Sequence, residues 1–272
     1  MNFIQVEIKC KDSQESDELS ALLIGIGYEG FEETENLLLA YTSELNFSER
    51  ELEDIVKDGG FEYSIKKIEP QNWNEVWESS FEPVEVDSFC TIRAEFHNIA
   101  ISTPFEIVIT PKMSFGTGHH ATTQLMIELM SILSFKDLAV LDFGTGTGVL
   151  AILADKMGAV SIDAIDNDEW CVTNANENVL SNQCNNIIVQ QKSIEDELKT
   201  DYDVILANIN RQILVNSMAT IFTKTKSGGK ILISGFLKED SELMKSAAIN
   251  IGFKFEDEKE KGSWMALRFC KD

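Results

Sequence analysis

The sequence predicts two α/β domains in series: a small βαββαβ sandwich, then a doubly wound, mostly parallel sheet closed by an antiparallel hairpin. Three observations predict it. Residues 1–69 begin and end in segments whose apolar side chains alternate at a period of two, with helical periodicity between them. From residue 89 onward, strand-like and helix-like segments take turns, which is the pattern of a parallel sheet. The chain then ends in two adjacent strand patterns, 253–258 and 263–269, around a turn at Glu260–Gly262.

In the first domain, Ile4, Val6, Ile8 and Cys10 share one face of a strand over 4–10. Leu19, Leu22, Leu23 and Ile26 recur at helical spacing, and Gly25 and Gly27 end that helix. Strands near 29–33 and 37–42 meet at a turn, Thr34-Glu35-Asn36. Ser48 is placed to cap a helix reaching Lys57, with Glu51 three residues on. Gly59 and Gly60 break it, and Phe61, Tyr63 and Ile65 alternate again. The order βαββαβ is that of a ferredoxin-like α+β domain. Residues 70–88 form a linker segment, where Trp73, Trp77 and Phe81 at helical spacing predict a short amphipathic helix.

The second domain, 89–272, opens with strands at 89–95 and 105–110. A loop from Pro111 to Gly118 leads into a helix striped by Leu125, Met126, Leu129, Met130 and Leu133. Then follow the strand Ala139–Leu141, a glycine loop, a helix to Met157, and a strand around Ile162–Ile165. A helix, a strand near 187–191, a strand over 203–207, a helix carrying Leu214, Met218, Ile221 and Phe222, and the strand Lys230–Ser234 complete the alternation.

Apolar residues make up 43% of the 272, ample for a buried core. No run of eighteen apolar residues predicts a membrane span, and the first residues lack the basic and apolar regions of a secretory signal. Five scattered cysteines (Cys10, Cys90, Cys171, Cys184, Cys270), with no C-x-x-C spacing, predict a reducing cytoplasm rather than a disulfide framework or a zinc site. The net charge of -23 repels phosphate, so direct nucleic-acid binding is not expected. Residues 1–70 hold 17 acidic and 6 basic side chains, a balance that either attracts a basic partner or serves solubility alone.

Chemistry concentrates at Val140-Leu141-Asp142-Phe143-Gly144-Thr145-Gly146-Thr147-Gly148, which follows a buried strand and opens a helix. Glycines there let backbone approach a ligand, and ligands of such sheets sit at the carboxyl ends of the strands. Asp166, at the end of the next strand, is suited to hold two ribose hydroxyls. Gly146, Gly148 and Ala151 also satisfy G-x-G-x-x-A, with Asp166 twenty residues on, so a nicotinamide-dependent oxidoreductase fits these residues as well. Gly144 and Asn208, just beyond the strand 203–207, favour a methyltransferase; a cofactor-binding module without catalysis is a third class. Asp142 binds a ligand through water or caps backbone groups. His119 and His120 are adjacent and lack acidic or thiol partners, so no metal site is expected. Phe115, followed by Gly116 and Gly118, reads as packing or as part of a mobile lid.

The chain resembles the PrmA family, bacterial methyltransferases of large-subunit ribosomal protein eleven. The resemblance rests on Asn72-Trp73 through Phe81-Glu82-Pro83, Phe115-Gly116-Thr117-Gly118-His119 with Thr122-Thr123, Val140 to Gly148, and Asp166 with Asn174-Ala175. Ala207-Asn208-Ile209 and Gly228-Gly229 through Ser234-Gly235 extend it, covering 70–237 well and the N-terminal domain weakly. It implies a Rossmann-like class I methyltransferase domain binding S-adenosylmethionine, and an N-terminal domain that recognises a basic ribosomal protein. It implies that Thr123 touches the methionine end of the cofactor, that Gly144 lies against the methionine–ribose portion, and that Asp166 holds the ribose. Asn208 is implied where the methyl leaves, as a positioning group with no general base. The implied products are methylated lysine side chains and a methylated chain terminus; a monomer is expected. Thr145 and Thr147 stand where the family often has cysteine and serine, and Asn210 where leucine is common. Ile209-Asn210 replaces the two prolines and aromatic residue that follow this asparagine in glutamine-directed enzymes.

Overall fold

The structure, a computed structural model, describes residues 3–11, 13–28, 30–34, 37–68, 81–110, 117–196 and 198–272. Backbone contacts divide the chain into two compact units, Met1–Ser80 and Phe81–Asp272.

The first unit contains β1 (Phe3–Lys9), α1 (Ser13–Gly25), β2 (Gly30–Thr34), β3 (Leu37–Ser43), α2 (Glu49–Gly59) and β4 (Tyr63–Ile68). Its strands pair antiparallel in the order β2-β3-β1-β4, the ferredoxin-like arrangement. Alternation in β1 drives Ile4, Val6 and Ile8 into a core with Leu38, Ala40, Leu52 and Val56. The Ser48 hydroxyl accepts from the Glu51 N–H at the start of α2, and Gly60 ends the helix at φ 68°. The stripe expected on α1 is narrower than the sequence suggests. Leu19 and Leu23 are buried, but Leu22 is 56% exposed, because a helix lying on a sheet buries one line of side chains and leaves its flank in water.

The second unit holds two sheets. β5 (Val84–Val86), β6 (Cys90–Ala94) and β7 (Phe105–Ile109) make a small one, antiparallel between β5 and β6 and parallel between β6 and β7. The linker helix proposed within 70–88 falls largely outside the described residues, as do Trp73 and Trp77. Its described end is not helical: Val84–Val86 is a strand.

The large sheet contains β8 (Ala139–Phe143), β9 (Ser161–Asp166), β10 (Ile187–Gln191), β11 (Tyr202–Asn208), β12 (Thr225–Leu237), β13 (Phe253–Lys261) and β14 (Trp264–Lys271). Its order is β10-β9-β8-β11-β12-β14-β13. The first five strands are parallel, and β14 runs antiparallel between β12 and β13. Helices α3 (Ala121–Ser131), α4 (Val149–Lys156), α5 (Glu169–Ser181), α6 (Arg211–Lys224) and α7 (Ser241–Ile251) accompany it. Helix α7 has no counterpart in the sequence reading: only Met244 and Ala248 of its apolar residues are fully buried, while Leu243, Ile249 and Ile251 are exposed. Successive strands run outward from β8 through β9 and β10, then from β11 on the other side. The crevice where the order reverses, between β8 and β11, opens at the carboxyl ends of both strands. Among the described residues, no helix is long and apolar enough to cross a membrane.

Candidate active site

Three parallel strands deliver the site. The register aligns Phe143 with Ile165 of β9 and with Ala207 of β11, so Gly144, Asp166 and Asn208 emerge together at one edge. The loop after β8 folds back over β9: the Gly144 and Thr145 N–H groups both donate to the Ile165 carbonyl, at 2.8 and 3.0 Å. Gly144 and Gly146 adopt φ of 74° and 55°, the left-handed region that favours glycine. At Gly144 space is a second demand, since a Cβ there would stand 2.1 Å from Cγ2 of Ile209.

Asp166 is half-buried and anchored at both oxygens. Oδ2 accepts from the Gly146 N–H and Oδ1 from the Asp168 N–H, each at 3.0 Å. Each oxygen keeps further lone pairs for a ligand. Asn208 is 8% exposed; its Nδ2 donates to the hydroxyl of buried Thr123 at 3.3 Å, and its buried Oδ1 has no partner. Asp142 lies behind the loop. Its Oδ2 accepts from the Thr145 hydroxyl at 2.6 Å and the Ala151 N–H at 3.2 Å, so it caps backbone at the start of α4, and its Oδ1 is unpartnered. Burial pushes its carboxyl up to about 7, with the Asp166 charge adding to the rise and both hydrogen bonds opposing it.

These residues enclose a cavity of about 450 Å³, within the ~300–1,000 Å³ of small-molecule sites. Its lining includes Gly144, Gly146, Asp166, Asn167, Cys171, Lys192, Ser193 and Glu195. Asn208, Ile209, Asn210, Ile213, Ser217 and Gly235 line it as well, with His120 and Trp264. A recess of about 20 Å³ beside it brings Thr123 together with Gly144 and Asn208. Of the six residues singled out from sequence, Gly148 alone lines neither: it begins α4 at φ 82°, where a Cβ would meet Ala175 at 3.4 Å. Its place is in packing the loop against α5.

The sequence reading did not include Lys192, Trp264 or His120 among the lining residues. The His120 ring caps α3, its Nδ1 accepting from the Thr122 N–H, and packs edge-on against Trp264 at 4.6 Å. Burial lowers its pKa, favouring the neutral ring. Asn210, unexplained in sequence, caps α6: its Oδ1 accepts from the Gln212 N–H at 2.8 Å. Phe115 lies outside the described residues.

The model of the family "Ribosomal protein L11 methyltransferase (PrmA)" matches residues 5–272. The chain belongs to the ribosomal protein L11 methyltransferase family. A protein of that name from Porphyromonas gingivalis is 40% identical over 266 residues, covering 94% of this chain and 91% of that one. Another from Phocaeicola vulgatus is 37% identical over 278 residues and covers 99% of each. The crystal structure of a ribosomal protein L11 methylase from Lactobacillus delbrueckii subsp. bulgaricus superposes with a TM-score of 0.64 at 26% identity, covering 71% of this chain and all of that one. Membership makes the chain an S-adenosylmethionine-dependent methyltransferase acting on ribosomal protein L11, and the oxidoreductase and binding-module alternatives fall with it. The residues present fit that cofactor. A carboxylate with spare lone pairs stands at a strand end, a glycine-rich loop crosses beside it, and Asn208, whose buried Oδ1 has no partner, lines the same cavity.

Proposed function

We propose that the chain methylates amines of ribosomal protein L11, lysine side chains and the terminal amine, in the cavity shared by Asp166 and Asn208. In this reading Asp166 holds the ribose of the cofactor, Gly144 and Gly146 let the backbone lie against it, and Thr123 meets its methionine end. The first unit grips the substrate protein. Its excess of acidic side chains, 17 against 6 basic over residues 1–70, suits a basic ribosomal protein, and the overall charge of -23 disfavours direct contact with nucleic acid. The enzyme acts in the cytoplasm as a monomer; none of its five cysteines is in a disulfide, in keeping with a reducing compartment.

S-Adenosylmethionine, when bound, supplies a methyl group on a positively charged sulfur. The accepting amine must be neutral, and deprotonating a lysine of reference pKa 10.4 at pH 7 costs about 4.6 kcal/mol. Of the carboxylates that line the cavity, Asp166 ends β9 and Glu195 follows β10. The lining that follows β11, with Ile209 and Ile213, has no carboxylate among its described residues, and Trp264 adds an apolar wall. An amine entering there loses water without gaining an anionic partner, which lowers its pKa. As positive charge builds on its nitrogen, the Asn208 amide, which lines the cavity and whose buried Oδ1 has no partner, can turn to meet it. His120 is committed to the α3 cap, and no general base is assigned.

The observation that carries the proposal is that Asn208, whose buried Oδ1 has no partner, lines the cavity that Asp166 also lines. Mass spectrometry of L11 after incubation with enzyme and S-adenosylmethionine tests it. The wild type adds methyl groups to lysine or terminal nitrogens, and Asn208→Ala slows this ~10²-fold while still unfolding cooperatively. Methyl groups on glutamine or arginine, or undiminished incorporation by the variant, would falsify it.

A further inference from the structure

Asn174, Asn178 and Asn182 recur every fourth residue and share one face of α5, Asn182 forming its C-cap. Asparagine is a poor residue for a helix interior, and a buried amide destabilises the fold unless it is hydrogen-bonded. All three find bonds on β7, an edge strand of the small sheet, or on Thr110 just past its end. Asn182 accepts from the Val108 N–H at 2.9 Å and donates to the Val108 carbonyl at 2.5 Å. Asn178 accepts from the Thr110 N–H at 2.8 Å, and Asn174 donates to the Thr110 carbonyl at 3.3 Å. Side chains of α5 thus complete the strand edge where no further strand pairs.

Asn178 does one thing that Asn182 does not. Its Nδ2 donates to the carbonyl of Thr147 in the glycine loop, at 2.8 Å, and the residue is fully buried. The Thr147–Gly148 peptide is held at its other side too, its N–H donating to the Thr145 carbonyl at 2.8 Å. One residue earlier in the loop, the Gly146 N–H reaches Asp166. Helix α5 begins just after Asp166, and the Asp168 N–H braces the other carboxylate oxygen. One helix therefore fixes both partners of the Gly146–Asp166 contact, the acid from its first turn and the loop from Asn178.

We propose that Asn178 is a positioning residue for the cofactor: by pinning the Thr147 carbonyl it holds the glycine loop in the conformation that S-adenosylmethionine binds. The inference rests on the cofactor lying against that loop. Without the Asn178 amide the Thr147 carbonyl loses one of the bonds that fix the loop, and binding must restore the order that the side chain now supplies.

Asn182 provides the control, because its replacement removes the same kind of strand-edge bonds and leaves the loop untouched. Calorimetry of the full chain with S-adenosylmethionine, paired with thermal melting, separates the two. Asn178→Ala raises the Kd about tenfold, an effect that falls on KM for the cofactor more than on kcat. Asn182→Ala lowers the melting temperature but leaves the Kd within twofold. Asn178→Ser, which keeps a short polar group, is measured if the alanine variant does not fold, with the same ordering expected. A Kd within twofold of wild type in the position-178 variant, or an equal rise in both variants, overturns the proposal. Failure of the wild type to bind S-adenosylmethionine would instead sink the cofactor site, and this inference with it.

Discussion

Replacing Asp142 by asparagine removes a carboxyl that the fold holds almost entirely out of water. The side chain is 1% exposed, one oxygen accepts two hydrogen bonds and the other has no partner. Burial raises its pKa from 3.8 to about 7. A group whose pKa is higher folded than unfolded favours the folded state in its protonated form. Its contribution is therefore complete below about pH 4 and is lost as pH rises to 7. A rise of about three pH units corresponds to at most ~4 kcal/mol at 1.36 kcal/mol each. Asparagine offers the same acceptor to Thr145 and Ala151 and is neutral throughout. Thermal melts followed by circular dichroism without cofactor should then show the Asp142→Asn variant more stable than wild type at pH 8.5, by up to ~10 °C for a chain of this size. The gap should narrow steadily toward pH 4.5. A difference independent of pH, or a wild type that gains on the variant as pH rises, would refute the reasoning.

Two further substitutions probe the site and its scaffold. Asp166→Asn keeps the size but turns one oxygen into a donor that must face either the Gly146 or the Asp168 N–H. Calorimetry should show S-adenosylmethionine bound ~10–100-fold more weakly, and an affinity within threefold of wild type would contradict the assignment. Asn210→Leu, which restores the residue common in the family, deletes the cap on Gln212. It should cost about 1 kcal/mol and lower the melting temperature by ~2–4 °C; an unchanged melt would show that the cap contributes nothing.

What the sequence discloses depends on whether the signal is local. The strand Ala139–Phe143 is buried on both faces, so Ala139-Val140-Leu141 is apolar without alternation and easily read. Cys90–Ala94 and Phe105–Ile109 carry the same signal yet belong to the small sheet, because periodicity reports burial and not which strand lies alongside. Helix α7 escapes because its buried line is only Met244 and Ala248, too thin to stand out from its exposed leucine and isoleucines. The site divides the same way. Gly144 and Gly146 are legible since backbone of positive φ restricts the choice of residue, and Asp166 is legible at a strand end. Trp264 is not, for it reaches the cavity from the C-terminal hairpin and only folding brings it against His120.

The ambiguity between a dinucleotide and S-adenosylmethionine is the instructive case, because both ligands ask for a glycine turn and an acid at the next strand end, and Gly146 with Asp166 presents that pair. They part at the start of α4. A diphosphate seeks the unpaired N–H groups and positive end of a helix N-terminus. Here Asp142 has taken that place: its carboxylate accepts the Ala151 N–H and leaves its second oxygen buried and unpaired. A diphosphate brought to this helix end would meet an acid already penalised by burial and by the charge of Asp166. A ligand carrying positive charge would meet the opposite field and relieve it. Asp142, one position before the phenylalanine that precedes the glycines, thus occupies a donor that a diphosphate would need, and neither that bond nor the burial around it is revealed by the letter D in a sequence.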